Sequence, residues 1–137
     1  MYLSKNLIYF KHIGKFNFNK VLLRRFTSKA EGVVNSININ SMDELNRQIE
    51  KSEDALILDF YADWCPNCKQ LNPILDEKIS KKHNIKLLRI NIDQNKDIAD
   101  KFSITGIPHI FLFKKGKKLD DFVGVKETNL NKMLNDL

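Results

Sequence analysis

The chain has 137 residues, of which 42% are hydrophobic, so it can form one sizeable core and has no room for a second large domain. Its net charge of +6 is unevenly distributed along the chain. Residues 1–36 contain seven Lys and Arg against one Glu, whereas residues 37–137 contain 16 basic and 16 acidic residues. This neutral part disfavours a general nucleic-acid surface. Two cysteines are too few for a disulfide-rich secreted scaffold.

The N-terminal segment is basic and amphipathic, and no acidic residue precedes Glu31. Lysines at positions 5, 11, 15 and 20 interrupt its apolar runs, which predicts neither a membrane span nor a secretory signal. The composition is typical of an organelle transit peptide. Its Arg24–Ser28 run resembles a mitochondrial processing site, with cleavage expected after Phe26. We therefore expect residues 1–30 to be disordered or removed, and residues 31–137 to form the domain.

The expected destination of such an address is the mitochondrial matrix. A plastid is the alternative because Asn-rich and Lys-rich chains obscure transit composition, and a tail that is never removed would leave the protein in the cytosol.

The first elements after this segment are a short strand and a helix. Alternating residues between Val33 and Ile39 predict the strand. Ser41 is followed three residues later by Glu44, which is a capping box. The helix that it begins is expected to end by about Ser52.

The next segment, Ala55–Tyr61, is an apolar run of strand length that predicts a central strand buried on both faces. One acidic residue, Asp59, interrupts it. Because Asp59 follows three apolar residues and precedes Phe60, we expect it to be buried with a raised pKa.

Six further elements follow. The predicted elements are a helix over 65–81 with a kink or break at Pro73, a strand over 85–93, a short helix over 97–102, strands over 110–113 and 119–123 that form a hairpin around Gly116, and a helix over 127–137. The order βαβαβαββα predicts an α/β fold whose sheet has a parallel core and an antiparallel hairpin at one side.

A Cys-x-x-Cys pair, Cys65 and Cys68, stands where the buried strand ends and a helix begins. Helix N-termini and this spacing lower thiol pKa values from about 8.5 to roughly 3.5–7.5, because amide N–H groups stabilise negative charge. The spacing also lets the two sulfurs form a disulfide within one helical turn. A structural zinc site would need two more ligands, and the three histidines stand in separate segments, so zinc is disfavoured.

Four motifs in order resemble the thioredoxin family over residues 37–137: Leu56–Lys69, Pro73–Glu77, Asn91–Asn95 and Gly106–Pro108. The resemblance implies the thioredoxin fold, a central mixed β-sheet flanked by helices, with the Cys-x-x-Cys pair facing solvent beside a cis-proline loop. It implies no bound cofactor and no metal.

The resemblance also implies catalytic roles for three residues. Cys65, nearer the exposed end of the pair, would attack a substrate disulfide as a thiolate, and Cys68 would resolve the mixed disulfide. Asp59 matches the buried aspartate that helps to deprotonate the second cysteine.

Three residues are implied to bind substrate. Pro108 matches the cis-proline whose loop, with Ile107, offers backbone to an extended substrate, and Trp64 is expected at the rim of the site.

The function expected from the resemblance is the reduction of client protein disulfides, with electrons from a flavoprotein thioredoxin reductase or another dithiol donor. The alternatives are a scaffold or binding subunit whose thiols are incidental, and a disulfide oxidase or isomerase of the same fold. No nucleic-acid partner and no membrane span are expected.

The pair departs from the common Gly-Pro arrangement in having Pro66 and Asn67 between the cysteines. If Cys65 caps the helix, Pro66 is the first helical residue, and the N–H groups of Asn67 and Cys68 can both reach the cap sulfur. Proline in the second position would remove one donor. We therefore expect Pro66 and Asn67 to tune the redox pair, with one more hydrogen bond to the Cys65 thiolate and a more oxidising disulfide.

Two further departures are Arg89, where thioredoxins usually carry a lysine that can pair with the buried aspartate, and His109 after the proline. Arginine does not release its proton, so a lysine-coupled relay does not carry over unchanged. His109 is either a core histidine or a group that titrates near the dithiol.

Overall fold

The structure, a computed structural model, describes residues 36–137. The predicted transit peptide and its cleavage site lie outside the described residues. The elements are β1 Ser36–Asn38, α1 Met42–Lys51, β2 Ala55–Tyr61, α2 Pro66–Ser80, β3 Ile85–Asn91, α3 Lys96–Lys101, β4 His109–Lys114, β5 Lys117–Val123 and α4 Glu127–Asn135. Their order is the one predicted from the sequence.

The five strands form one mixed sheet in the order β1-β3-β2-β4-β5. Strands β1 and β2 both pair with β3 in parallel, whereas β4 runs antiparallel to β2 and to β5. The α/β fold with a central mixed sheet and flanking helices is therefore confirmed. Because β2 lies in the middle, both of its edges are paired and both of its faces are covered.

Alternate residues of β2 face two different core layers, because successive side chains of a strand point to opposite faces. Ala55 and Ile57 pack in one layer with side chains of α2 and α4. Leu56, Leu58 and Phe60 pack in the other layer with side chains of α1 and α3. Asp59, which shares the parity of Ala55 and Ile57, therefore faces the layer under α2.

The predicted capping box begins α1. Ser41 Oγ accepts a hydrogen bond from Glu44 N–H at 3.2 Å, and Glu44 Oε2 accepts one from Asn40 N–H at 3.1 Å. The side chains thus satisfy two backbone donors at the helix start.

Helix α2 runs through Pro73 without a break, so of the two expected outcomes the break is wrong and the kink stays a prediction. Proline removes the N–H that would bond the Lys69 carbonyl group. Both Lys69 and Pro73 are exposed, so water can satisfy this carbonyl group and the helix continues.

The hairpin between β4 and β5 turns on two residues, Lys115 and Gly116, with φ angles of 51° and 76°. Two successive left-handed residues are the geometry of a tight hairpin turn, and glycine favours it at the second position. No helix in residues 36–137 is both long enough and apolar enough to span a membrane.

Candidate active site

Cys65 is the N-cap residue of α2. Its Sγ accepts a hydrogen bond from Cys68 N–H at 3.2 Å. Pro66 occupies the first turn, where its missing N–H has no intrahelical partner to lose. The expected second bond, from Asn67 N–H to Cys65 Sγ, is not formed between these described residues. A cap side chain bonds the second or the third helical N–H, and here it bonds the third.

Both cysteines are free thiols and both are buried, with exposed fractions of 4% for Cys65 and 1% for Cys68. Only Cys65 lines the surface groove beside the helix, which is the difference in access that the sequence predicts. Burial is the main cause that raises the pKa of the Cys68 thiol to about 12, with hydrogen bonding to Cys65 and the charges of Cys65 and Asp59 adding to it.

The groove has a volume of about 400 Å³ and a largely apolar wall. Trp64 is its rim aromatic: 66% of it is exposed, and its Nε1–H donates to Asp93 Oδ2 at 2.9 Å, which fixes the indole. The residues that line the groove are Trp64, Cys65, Pro66, Asn67, Ile92, Ile104, Thr105, Gly106 and Ile107.

The loop before β4 approaches the dithiol through its backbone. The Ile107–Pro108 peptide bond is cis, and the Ile107 carbonyl oxygen lies 3.9 Å from Cys65 Sγ. Pro108 itself is buried and does not line the groove, and its carbonyl oxygen accepts a bond from Gly124 N–H at 2.8 Å. Direct contact with a substrate in this groove is therefore open to Ile107 and Trp64 rather than to the Pro108 side chain.

Asp59 is fully buried on the central strand, as predicted. Burial raises the pKa of its carboxyl from 3.8 to about 7, and the negative charge of Asp76 adds to the rise, whereas Arg89 opposes it. Oδ1 of Asp59 has no hydrogen-bond partner among residues 36–137. A carboxyl in this state gains and loses its proton near neutral pH.

Arg89 stands opposite Asp59 in the β2–β3 register but hydrogen-bonds a different acid. Its Nη2 donates to Asp76 Oδ1 at 2.7 Å. Asp76, on α2, thus draws the guanidinium group away from Asp59, which keeps Asp59 from a direct ion pair that would hold it ionised.

Asn72, also on α2, connects Asp59 with the second cysteine. A carbonyl oxygen cannot donate, so the Asn72 amide is oriented with its nitrogen toward the Cys68 carbonyl oxygen, at 3.1 Å. The same nitrogen then donates to Asp59 Oδ2 at 3.3 Å.

His109 is buried at the start of β4. Its Nε2 lies 2.7 Å from Asp121 Oδ2, and its ring stacks on Phe111 at a centroid distance of 4.2 Å. Lys118 and His109, in that order, lower the pKa of Asp121 by hydrogen bonding. His109 therefore lies in the core with one ring nitrogen paired, and its Nδ1 has no hydrogen-bond partner among residues 36–137.

Sequence reasoning missed Asn72, Asp76 and Asp93. The first two follow Cys68 at intervals of four residues, which places all three on one face of α2. That spacing is a signal that the sequence already contained. In the part of the chain that the structure describes, no three His, Cys, Asp or Glu side chains are grouped so that they could hold a metal ion.

Comparison with known proteins gives a consistent result. A family model described as Thioredoxin matches residues 36–136. The mitochondrial thioredoxin-2 of Schizosaccharomyces pombe is 33% identical over 114 residues, which are 82% of this chain and 84% of that protein. A thioredoxin of Rickettsia felis is 41% identical over 85 residues, 61% of this chain and 80% of the relative.

Solved structures agree with the sequence matches. The crystal structure of mitochondrial thioredoxin 3 from Saccharomyces cerevisiae, in its oxidized form, superposes with a TM-score of 0.69. It is 29% identical in sequence and covers 73% of this chain and 93% of its own.

Cys65 Sγ accepts one hydrogen bond, from Cys68 N–H, and this predicts how the Pro66-Asn67 order affects the redox potential. Exchanging this order for Gly-Pro (Pro66→Gly with Asn67→Pro) keeps the Cys68 N–H donor, removes the Asn67 N–H and its part of the peptide dipole, and adds an N–H at residue 66, which a cap side chain does not reach. Redox equilibration should give a potential more negative by roughly 5 to 20 mV, the equivalent of a dipole contribution of about 0.3 to 1 kcal/mol. Asn67→Ala keeps the N–H and should leave the potential unchanged.

A potential more negative by over about 35 mV would contradict this prediction, because a shift of that size corresponds to a full charge-assisted hydrogen bond. A less negative potential would also contradict it.

Proposed function

The chain belongs to the thioredoxin family and is a thiol–disulfide oxidoreductase that acts on disulfide-bearing client proteins; from this premise we propose that it reduces those disulfides through Cys65 and Cys68. One observation carries the proposal. The groove-lining sulfur accepts an N–H bond at a helix N-terminus, while its partner thiol is buried near a carboxyl whose pKa is about 7.

The first step uses Cys65. Its Sγ lies at the N-cap of α2, accepts a hydrogen bond from the Cys68 N–H and lines the groove, so it is the sulfur placed to attack a client. The thiolate attacks one sulfur of the client disulfide. The client S–S bond breaks, a Cys65–client mixed disulfide forms, and the other client sulfur leaves as a thiolate that takes up a proton.

The second step uses Cys68 and Asp59. Because the pKa of Cys68 is about 12, almost none of it is ionised at neutral pH, so its thiol needs a base. The Asp59 carboxylate accepts the thiol proton. The Cys68 sulfur then attacks Cys65 Sγ, the mixed disulfide breaks, the second client thiolate leaves, and the two electrons remain in the client as the Cys65–Cys68 disulfide forms.

The groove suits an extended client segment with an apolar side chain near its disulfide. Trp64 and Ile107 line it, together with Ile92 and Ile104. Ile107 also offers its main chain beside Cys65. Pro108, buried behind this loop, contributes by fixing where Ile107 stands. Pro66 and Asn67 tune the redox pair through the first-turn peptide dipoles.

The oxidised pair must be reduced again by an electron donor. A flavoprotein thioredoxin reductase is the proposed donor, with another dithiol donor as the alternative. Incubating the oxidised protein with such a reductase should restore two titratable thiols, and failure to do so would exclude this donor.

The proposed location is the mitochondrial matrix, and the proposed division is an address over residues 1–30 and a thioredoxin domain over residues 31–137. Two observations support this. The first segment has the composition of a transit peptide, and the relatives include mitochondrial thioredoxins of Schizosaccharomyces pombe and of Mus musculus.

Replacing Cys68 by Ser tests the function directly. The variant should stop after the first step and accumulate a one-to-one mixed disulfide through Cys65 with a disulfide-bonded protein such as insulin, seen by non-reducing electrophoresis and mass spectrometry. Cys65→Ser is the matched control and should form none. If neither variant forms a covalent adduct while non-covalent partners are retained, the chain is a scaffold and the proposal fails.

The import proposal predicts the N-terminus of the protein in cells. Protein isolated from mitochondria should begin near Thr27 when its mass is measured intact. Protein that still carries Met1, or that is recovered outside mitochondria, would contradict the proposed address.

A further inference from the structure

The Asn72 side chain hydrogen-bonds both the Asp59 carboxyl and the backbone of Cys68. Its amide nitrogen carries two hydrogens, and the structure gives each an acceptor: the Cys68 carbonyl oxygen at 3.1 Å and Asp59 Oδ2 at 3.3 Å. Asn72 is only partly buried, whereas both of its partners belong to buried residues. The amide therefore reaches inward from α2 across the carboxyl.

We propose that Asn72 is a positioning residue that ties the Asp59 carboxyl to the backbone of Cys68 and selects which carboxyl oxygen carries the proton. This inference rests on the proposed function, because it assigns Asp59 the role of base. The Asn72 amide N–H needs a lone pair as its acceptor, so it favours an unprotonated Oδ2 on Asp59. The proton from Cys68 is then received by Oδ1, which has no hydrogen-bond partner within residues 36–137.

The second consequence concerns the proton affinity of the base. A donor that points at a carboxylate stabilises the ionised form, so Asn72 acts against burial. The charged and titratable groups that interact with Asp59 are Arg89 from β3 and Asp76 and the Cys68 thiol from α2. None of these charges changes when Asn72 is replaced by an apolar residue, so the effect of the amide can be isolated.

The test measures the resolving step alone. Thionitrobenzoate placed on Cys65 as a mixed disulfide is released when Cys68 attacks, and its absorbance follows that step by stopped flow. In Asn72→Leu, which fills the space without a donor, the pH midpoint of the rate should move up by roughly one unit. The rate should fall about 3- to 10-fold at pH 7 and recover by pH 9, where Asp59 is ionised in both proteins.

Two further variants make the result specific. Gln70→Leu changes an exposed amide on the same helix and should leave the profile unchanged. Asp59→Asn should remove the inflection assigned to the base. Adding Asn72→Leu to Asp59→Asn should then slow the step no further, because a residue that acts through Asp59 has nothing left to position.

Each other outcome would contradict the role given to Asn72, the role given to Asp59, or both. If Asn72→Leu slows the step equally at every pH, or adds its loss to that of Asp59→Asn, then Asn72 is merely structural. If Asp59→Asn removes the inflection and Asn72→Leu does not move it, only the Asn72 inference fails. If Asp59→Asn leaves the inflection in place, Asp59 is not the base, and both assignments fail while trapping through Cys65 stands as a separate result.

Discussion

The burial of one carboxyl group, Asp59, is the constraint to which the other features of the site respond. Strand β2 lies in the middle of the sheet, so the fold removes Asp59 from water completely. Ionising a carboxyl there is costly, and its pKa rises to about 7. Two side chains of α2 affect the ionisation of Asp59: Asp76 holds Arg89 away from the carboxyl, and Asn72 supplies it with a neutral hydrogen-bond donor.

The two sulfurs are placed in contrasting environments by one helix start. Cys65 caps α2, and its sulfur accepts a hydrogen bond from an N–H group and lines the groove, as suits a nucleophile. Cys68, three residues on, lies inside the first turn and is buried, so its thiol keeps its proton until a base removes it. The position of each sulfur thus decides its part in the reaction. Cys65 can attack a client disulfide, whereas Cys68 reacts only after its proton has been transferred to a base.

The sequence predicted the element order, the mixed sheet and the burial of Asp59, because these depend on local periodicity and on a long apolar run. It left open whether α2 breaks or only kinks at Pro73, because the outcome depends on whether water can reach the Lys69 carbonyl group. It also predicted a cap bond from Asn67 that is not formed, because the choice between two neighbouring donors depends on the geometry of one side chain. The roles of Asn72 and Asp76 required the packing of α2 over β2 to be known, although their spacing from Cys68 was visible.

The pH dependence of stability reports whether folding buries the Asp59 carboxyl and raises its pKa. A folded-state pKa of about 7 against an ordinary value of 3.8 means that the folded protein binds this proton more tightly, so stability falls as pH rises from about 4 to about 7. Asp59→Asn removes that loss. Its free energy of unfolding should exceed that of the native protein by about 3 to 4 kcal/mol at pH 8 and match it within about 1 kcal/mol at pH 3. Asp100→Asn, an exposed change, should show no such trend. An Asp59→Asn difference that is the same at pH 3 and pH 8 would contradict the account.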